Sequence, residues 1–276
     1  MTGVDLPLHT ELFGPAPAPD LETFVLIHGY GVSGFTWRHW SPRLARLGHV
    51  VQIDLKGFGR APKPDDSRYA PGDQAELVRR LIVDRDLSNV TLVGHSLGGG
   101  VALLAAMGLM EEARPRLRRL VLVAGAAYAQ RLPPFVKMAA WPRLSALLFE
   151  LVSARRVVEG ALRMVVFDSD SVTADQVKGY ADPLGSPGAV RVLLSTARQI
   201  VPPDLPSVVG RYPLIPVPSL LLWGRDDPVV PLSVGQRLAR ALPNARLHVL
   251  ERCGHLAQEE RPAESFAVLE RFLRET

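Results

Sequence analysis

The amino-acid sequence predicts an α/β fold, with a mostly parallel central sheet flanked by helices and an all-helical lid insertion. Three observations lead to this fold class. Short, continuous apolar runs recur along the first half of the chain and near its end, as in strands that are buried on both faces. Segments with helical periodicity separate these runs, and this alternation predicts crossover units between parallel strands. Between 130 and 212 the strand candidates stop and only helical patterns continue.

Seven short apolar runs are the strand candidates. The first, Leu8–Phe13, is a weaker candidate for an edge strand and is followed by a turn rich in proline and alanine. Helical patterns separate the early runs at about 36–47, 72–86 and 97–112, and a final amphipathic helix is predicted over Pro262–Arg274. The other six strand candidates are Phe24–Ile27, Val50–Ile53, Val90–Val93, Leu120–Val123, Ser219–Trp223 and Arg246–Leu250.

The stretch 130–212 is predicted to form a lid over a core made of 1–129 and 213–276. A helical insertion after a strand lies over the carboxyl ends of the strands, where open α/β sheets bind ligands. Most of its apolar residues are expected to pack on the core, and a minority to line a substrate pocket. Its helical patterns fall at roughly 134–151, 153–166, 172–180 and 187–200. The pocket candidates are Phe135, Met138, Trp141, Phe149 and Met164, with Leu144, Leu148 and Phe167 as further apolar residues of the same stretch.

The composition is that of a globular protein that can bury a large core. The chain has 276 residues, of which 47% are hydrophobic and 22% charged, and these values exclude a disordered chain. Its net charge is +4, and no nucleic-acid-binding motif is present, so no nucleic acid partner is expected. The densest basic cluster is interpreted as a solvated helix end, with an anion-binding patch as the alternative. That cluster consists of Arg114, Arg116, Arg118 and Arg119.

The remaining signals predict a cytoplasmic protein without a cofactor. The single cysteine, Cys253, excludes an internal disulfide and is interpreted as a small buried hydrophobe rather than a nucleophile. Residues 1–13 lack the pattern of a secretion signal, and the longest apolar run, Leu97–Met110, is too short to span a bilayer. No His-Glu-x-x-His motif or histidine–cysteine cluster occurs, so no metal is expected. A monomer or a small homo-oligomer without stable membrane insertion is expected.

The segment Gly94–Gly98 carries the strongest chemical signal in the chain. It reads Gly-His-Ser-Leu-Gly and lies between a strand candidate and a helix start. A G-x-S-x-G sequence in this context is a nucleophile elbow, a sharp turn that exposes the serine hydroxyl at the edge of the sheet. The helix that follows directs the positive end of its dipole at whatever binds there. Ser96 is therefore the candidate nucleophile.

A serine hydroxyl is a weak nucleophile near neutral pH, so it needs a histidine base that a carboxylate orients. Of the seven histidines, His255 follows the last strand candidate in a loop and is expected at the same sheet edge as Ser96. In this architecture the carboxylate lies between the serine and the histidine along the chain. The strand candidate Ser219–Trp223 is followed by two acids, Asp226 and Asp227, and both are open at this point.

An oxyanion hole requires two backbone N–H groups directed at the developing negative charge. The N–H group of Leu97, directly after the candidate nucleophile, is one of them. The other is expected in the loop after the strand candidate Phe24–Ile27, which reads His-Gly-Tyr-Gly. Tyr30 is the expected donor there, because a glycine on each side lets the backbone bend.

Taken together, these motifs resemble the α/β-hydrolase superfamily, in particular its lidded single-domain branch. The resemblance covers nearly the whole chain and includes the Trp-Gly-x-x-Asp pattern that ends at Asp227, which implies that this residue is the acid. It also implies that the segment Asp54–Gly59 is a structural loop. Relatives that are epoxide hydrolases or haloalkane dehalogenases place an aspartate at the elbow, where this chain has Ser96.

The leading hypothesis is a carboxylic ester hydrolase, in which Ser96, His255 and Asp227 act through an acyl-enzyme. The second is a carbon–carbon bond hydrolase of ring-cleavage dienoates, because the segment Gly254–Glu259 resembles the G-H-W-A-Q-W-E loop of that group, with both tryptophans replaced. Arg191 or Arg198 would then bind the substrate carboxylate. The third is a non-catalytic ligand-binding protein on the same fold, which the loss of a triad residue would favour.

Overall fold

A seven-stranded sheet runs through the protein in the order β1-β3-β2-β4-β5-β6-β7. The computed structural model describes residues 6–130, 136 and 152–276. β1 pairs with β3 in the antiparallel sense, and every other pairing in this sheet is parallel. The predicted α/β class and mostly parallel sheet are therefore confirmed. The strands are β1 (His9–Phe13), β2 (Thr23–Ile27), β3 (His49–Asp54), β4 (Val90–His95), β5 (Leu117–Val123), β6 (Ser219–Gly224) and β7 (Ala245–Leu250).

Both faces of the central strands are buried because helices cover the sheet on each side. Alternate side chains of a strand point to opposite faces, so Val25 and Ile27 of β2 belong to one core and Phe24 and Leu26 to the other. This two-sided burial explains why the strand sequences are continuously apolar. The helices are α1 (Ser41–Leu44), α2 (Pro71–Asp84), α3 (Leu97–Met110), α4 (Ala154–Val165), α5 (Ala174–Ala181), α6 (Ala189–Gln199), α7 (Leu205–Gly210), α8 (Leu232–Ala241), α9 (Ala257–Glu260) and α10 (Pro262–Glu275).

The helix predicted over 36–47 is wrong. A 3₁₀ turn, Gly34–Trp37, and the single-turn helix α1 occupy this segment. Trp37 and Trp40 are fully buried in the core on the α10 side of the sheet, so their spacing reflects tertiary packing rather than one continuous helical face. Short helices of this kind depend on such packing, because an isolated turn is not stable by itself.

Between β5 and β6 the described residues 152–214 contain helices and 3₁₀ turns, and no strand lies among them. We call the described residues 152–212 the helical insertion. Helices α4, α5 and α6 correspond to the patterns predicted at 153–166, 172–180 and 187–200, whereas α7 was not predicted. The pattern predicted at 134–151 lies outside the described residues, apart from Val136.

The arginine cluster is not a solvated helix end, because β5 begins at Leu117 and includes its last two members. Arg119 is buried, with 1% of its side chain exposed, and it donates to Glu22 at 2.7 Å and to the Leu273 carbonyl at 3.1 Å. Arg114 and Arg116 both bind Asp86, at 2.7 and 2.8 Å. Carboxylates of the same chain thus bind three of these four guanidinium groups.

Among the described helices, none combines the length and the apolar character needed to cross a membrane.

Candidate active site

Ser96 lies in a sharp turn between β4 and α3, at the edge of the sheet where the parallel strands end. Its backbone has φ 55° and ψ −120°, a conformation that is strained for a residue with a side chain. A Cβ atom at Gly94 would lie 2.3 Å from the Gly98 carbonyl oxygen, and one at Gly98 would lie 2.4 Å from the Ile27 carbonyl oxygen. Glycine is therefore required at both positions. The turn has the predicted elbow geometry.

Asp227, in the turn after β6, is the acid that faces His255. The Nδ1 atom of His255 lies 2.8 Å from Oδ2 of Asp227, while Asp226 is exposed. The other carboxylate oxygen, Oδ1, accepts hydrogen bonds from the backbone N–H groups of Val229 and Val230, at 2.8 and 2.9 Å. With Nδ1 donating to Asp227, the lone pair of His255 is on Nε2, as a general base requires.

Ser96 and His255 line the same cavity, together with the loop that follows β2. This loop lies directly against the elbow, since a Cβ atom at Gly29 would be 3.1 Å from the Ser96 Cβ atom. Gly31 has φ 73°, a conformation that glycine adopts readily. Tyr30, in this loop, lines the same cavity as Ser96, and Leu97 follows Ser96 as the first residue of α3.

Two further residues hold the loop after β2 in place. His28 donates from Nδ1 to the Gly29 carbonyl at 2.7 Å and accepts at Nε2 from the Leu55 N–H group at 3.0 Å, so its ring is neutral. Burial lowers the pKa of His28, in agreement with this state. Asp54 accepts from the backbone N–H groups of Gly34 and Arg60, at 2.6 and 2.8 Å. These contacts give the segment Asp54–Gly59 a structural role, as the resemblance implied.

His95, the residue that precedes Ser96 in the elbow, contacts the candidate base. Its Nε2 atom lies 3.0 Å from the His255 carbonyl oxygen, which can only accept, so Nε2 carries the proton. The two imidazole rings have centroids 4.7 Å apart. Burial lowers the pKa of His95 well below its ordinary value, and the neighbouring His255 lowers it further. A neutral His95 thus holds the backbone of His255.

The cavity has a volume of about 470 Å³ and lies between the sheet edge and the helical insertion. A volume of this size is within the range of small-molecule sites. Of the predicted pocket residues, Met164 lines it and is 54% exposed, whereas Phe135, Met138, Trp141 and Phe149 lie outside the described residues. Most of the lining is apolar and includes Val136, Val157, Ala161, Leu193 and Val208.

The two arginines considered for a substrate carboxylate do not line the cavity. Arg191 binds Asp65 at 2.9 Å and the Lys63 carbonyl at 2.6 Å, and Arg198 bonds to a carbonyl of its own helix. Arg156, on α4, is a lining residue that the sequence analysis missed. No sequence signal identified it, because the helical pattern at 153–166 does not show which face of the helix meets the cavity.

Cys253 lies two residues before His255 in the chain and is fully buried. Burial strongly raises the pKa of its thiol, and Glu260 adds to this shift. A thiol in this state is a poor nucleophile. The structure thus places Cys253 as the small buried hydrophobe that the sequence predicted.

Comparison with known proteins gives a consistent family assignment. A hydrolase of Bacillus subtilis (strain 168), the uncharacterized YugF, is 29% identical over 246 residues, which cover 88% of this chain and 87% of that protein. The 2-hydroxy-6-oxononadienedioate/2-hydroxy-6-oxononatrienedioate hydrolase of Cupriavidus pinatubonensis is 30% identical over 255 residues, with 87% and 82% covered.

Among solved structures, an alpha/beta hydrolase fold protein from Burkholderia ambifaria is similar, with a TM-score of 0.81 and 27% identity. The similarity covers 95% of this chain and 93% of that one. The model of the alpha/beta hydrolase family matches residues 24–268, a range that includes Ser96, Asp227 and His255. This chain is a hydrolase that belongs to the alpha/beta hydrolase family.

Proposed function

We propose that this protein is a serine hydrolase that cleaves carboxylic esters whose acyl or alcohol part is apolar. The observation that carries the proposal is that Ser96 and His255 line one apolar cavity while His255 is bonded to Asp227. His255 bonds to Asp227 at 2.8 Å, and both Ser96 and His255 line the cavity. A reacting ester carbonyl needs only these groups and two N–H donors, while an apolar wall suits the rest of the molecule.

In the proposed reaction, the Ser96 Oγ atom attacks the acyl carbon while Nε2 of His255 takes the hydroxyl proton. Asp227 stabilises the imidazolium that forms. The N–H groups of Tyr30 and Leu97 bind the oxyanion, and each such donor contributes about 10²- to 10³-fold in rate. Collapse of the tetrahedral intermediate breaks the ester C–O bond, and the leaving alcohol takes the proton from His255. A water molecule then repeats the sequence and releases the carboxylic acid.

The proposal also assigns a role to each part of the chain. Residues 1–129 and 213–276 form the catalytic core, and 130–212 act as a lid. Support comes from the cavity itself, because helices α4 and α6 supply residues such as Val157 and Leu193 that line it together with Ser96. A lid of this kind excludes water from the oxyanion and strengthens its hydrogen bonds.

The second candidate is the hydrolysis of a carbon–carbon bond in a 2-hydroxy-6-oxo-dienoate. The Cupriavidus relative, at 30% identity, is named for this type of substrate. Arg156 on the cavity wall supplies a cation that could bind the substrate carboxylate. The two candidates share Ser96 and His255 and differ in their need for Arg156.

The test measures hydrolysis of p-nitrophenyl esters from acetate to laurate, and in parallel the decay of a 2-hydroxy-6-oxo-dienoate. Wild type, Ser96→Ala, Arg156→Leu and the control Ser153→Ala are compared, since Ser153 is an exposed serine whose side chain makes no capping bond. We expect Ser96→Ala to lose about 10⁴-fold or more in ester turnover. Arg156→Leu and Ser153→Ala should retain it.

Dienoate cleavage that exceeds ester turnover and falls selectively in Arg156→Leu would replace the ester proposal with the second candidate. If the folded wild type turns over neither substrate class, both proposals fail, and ligand binding without catalysis becomes the better hypothesis.

A further inference from the structure

We propose that Glu260 is a positioning residue for His255, and that it joins the loop carrying this base to the helical insertion. The inference rests on the proposed function, in which His255 is the base. Glu260 lies five residues after His255, at the end of the one-turn helix α9. Its carboxylate contacts neither Ser96 nor Asp227 among the hydrogen bonds of the described residues, so it would act through the backbone that carries His255.

The Glu260 carboxylate accepts three backbone hydrogen bonds. Its Oε2 atom accepts from the N–H groups of Gly254 at 2.9 Å and Phe167 at 2.7 Å, and its Oε1 atom accepts from Leu256 at 3.0 Å. Gly254 and Leu256 are the two neighbours of His255 in the chain. One side chain therefore holds the backbone N–H groups of the residues on both sides of the base, and the third bond ties them to the helical insertion. Hydrogen bonds to an ionised acceptor are roughly twice as strong as neutral ones.

The backbone of the insertion also packs directly on the His255 loop. The N–H group of His255 donates to the Val165 carbonyl oxygen at 2.8 Å, at the last residue of α4. A Cβ atom at position 254 would lie 2.5 Å from that same oxygen and 2.7 Å from the Phe167 nitrogen. Gly254 is thus required because the insertion backbone occupies the space of a side chain.

These contacts have a mechanical consequence for the site. The end of α4 cannot move away from the sheet edge without breaking the bonds from His255 to Val165 and from Phe167 to Glu260. Helix α4 also supplies cavity-lining residues, including Val157 and Ala161. The wall of the cavity and the proposed base therefore form one unit, with the Glu260 carboxylate as its connector.

The neighbouring carboxylate, Glu259, has a different set of partners. Its oxygens bind Arg38, Gln176, Thr36 and Tyr180. None of these partners belongs to the His255 loop. The two adjacent glutamates thus have different roles: Glu259 attaches helix α5 to the core, and Glu260 holds the loop that carries the base.

Two variants with matched controls test the inference. Glu260→Gln keeps one acceptor oxygen but directs an amide donor at backbone donors; its control is Glu264→Gln, a change at an exposed glutamate of α10. Phe167→Pro removes the N–H donor of residue 167 and leaves Glu260 intact. The preceding residue, Val166, has an extended backbone (φ −88°, ψ 158°) that tolerates a following proline. Phe167→Ala is the control that keeps the N–H group and removes only the ring.

The measurements are kcat and KM for the best p-nitrophenyl ester, and the rate at which a fluorophosphonate labels Ser96. Labelling needs an activated serine and does not depend on the natural substrate. All of these measurements are made at a temperature at which thermal unfolding curves show that each variant is folded. We expect kcat and labelling to fall about 10- to 100-fold in Glu260→Gln and Phe167→Pro, because a misplaced base slows the chemical step. KM should stay within about threefold, and both controls within about twofold of wild type.

Activity and labelling within twofold of wild type in folded Glu260→Gln and Phe167→Pro would overturn the positioning role, even if their melting temperatures fall. If Glu260→Gln does not fold, Phe167→Pro alone decides. A wild type that the fluorophosphonate does not label overturns the proposed function and this inference together. Labelled wild type with unaffected variants overturns the inference alone.

Discussion

The two sides of the cavity are built in different ways. The sheet side, formed by Ser96, the loop after β2, and the turns that carry Asp227 and His255, is held mainly by backbone geometry. Ser96 has φ 55°, Gly98 allows α3 to approach β2, and Asp227 is fixed by two N–H groups. The insertion side is held mainly by side chains, with apolar faces on its helices and the buried Glu259 at a contact with the core, and backbone bonds tie only the end of α4 to the His255 loop.

This difference indicates where chemistry and selectivity are located. Backbone donors and glycine contacts cannot be altered without disturbing the fold, so the sheet side is pre-organised for one type of reaction. Side chains on helices change independently of one another, so the insertion side can vary in shape while the reaction stays the same. Variants on the sheet side should therefore affect kcat, and variants on the insertion side, away from the contact of Val165 and Phe167 with the His255 loop, should affect stability or substrate choice.

The largest expected effect is on the sheet side, at the two adjacent aspartates after β6. Asp227→Asn should lower kcat by about 10⁴-fold, because an amide at this position favours the wrong tautomer of His255. Asp226→Asn should leave kcat within about twofold, since Asp226 is exposed and, among the bonds of the described residues, takes part only through its backbone N–H group, which donates to the Cys253 carbonyl at 3.0 Å. Steady-state ester hydrolysis by both variants checks this, and equal losses would contradict the assignment of Asp227 as the acid.

The next effect is on stability, at the buried carboxylate that attaches the insertion. Glu259 has 1% of its side chain exposed and binds Arg38 at 2.8 Å and Gln176 at 2.6 Å. Burial raises the pKa of Tyr180 well above its ordinary value, and the nearby carboxylate of Glu259 raises it further. Tyr180 therefore stays a donor to Glu259. Glu259→Gln should lower the free energy of unfolding by about 3 kcal/mol, because it leaves buried donors and the Arg38 charge poorly paired.

Urea unfolding measures this change, and ester turnover well below the melting temperature measures its effect on catalysis. Turnover should fall less than threefold. The control is Glu159→Gln, which breaks an exposed pair with Arg163 and should cost about 0.5 kcal/mol or less. A Glu259→Gln variant as stable as this control would show that the buried network does not hold the insertion.

Sequence reasoning succeeded on the sheet side because the signals there are local. The elbow depends on five consecutive residues, Gly94–Gly98, and strand patterns placed it at the correct edge. The local sequence could not decide between Asp226 and Asp227, because both follow β6 and the backbone conformation determines which of them faces His255. The family pattern favoured Asp227, and the 2.8 Å contact with His255 agrees with it.

The insertion side was less predictable because its contacts join residues that are far apart in the chain. Tyr180 and Glu259 are 79 residues apart, and neither has a local pattern that identifies the other. Periodicity found α4 but did not show which of its faces lines the cavity, so Arg156 was missed. The helix predicted over 36–47 failed for the same reason, since buried tryptophans there imitate a helical spacing that tertiary packing produces.

The smallest expected effect tests whether α4 selects the substrate. Val157, Ala161 and Met164 lie on one face of this helix and line the cavity, and Ala161 is the smallest of them. Ala161→Leu should reduce the cavity and lower kcat/KM for long p-nitrophenyl esters about tenfold relative to short ones. Turnover of p-nitrophenyl acetate should be unchanged, because the groups around Ser96 are untouched.

Arg155→Ala is the matched control, since Arg155 is an exposed residue of α4 and is not among the described residues that line the cavity. It should keep the chain-length profile. If Ala161→Leu instead lowers turnover equally for every ester, α4 affects the chemistry as well as substrate choice. The contrast between the two sides of the cavity would then hold only for the helices that lie farther from the His255 loop.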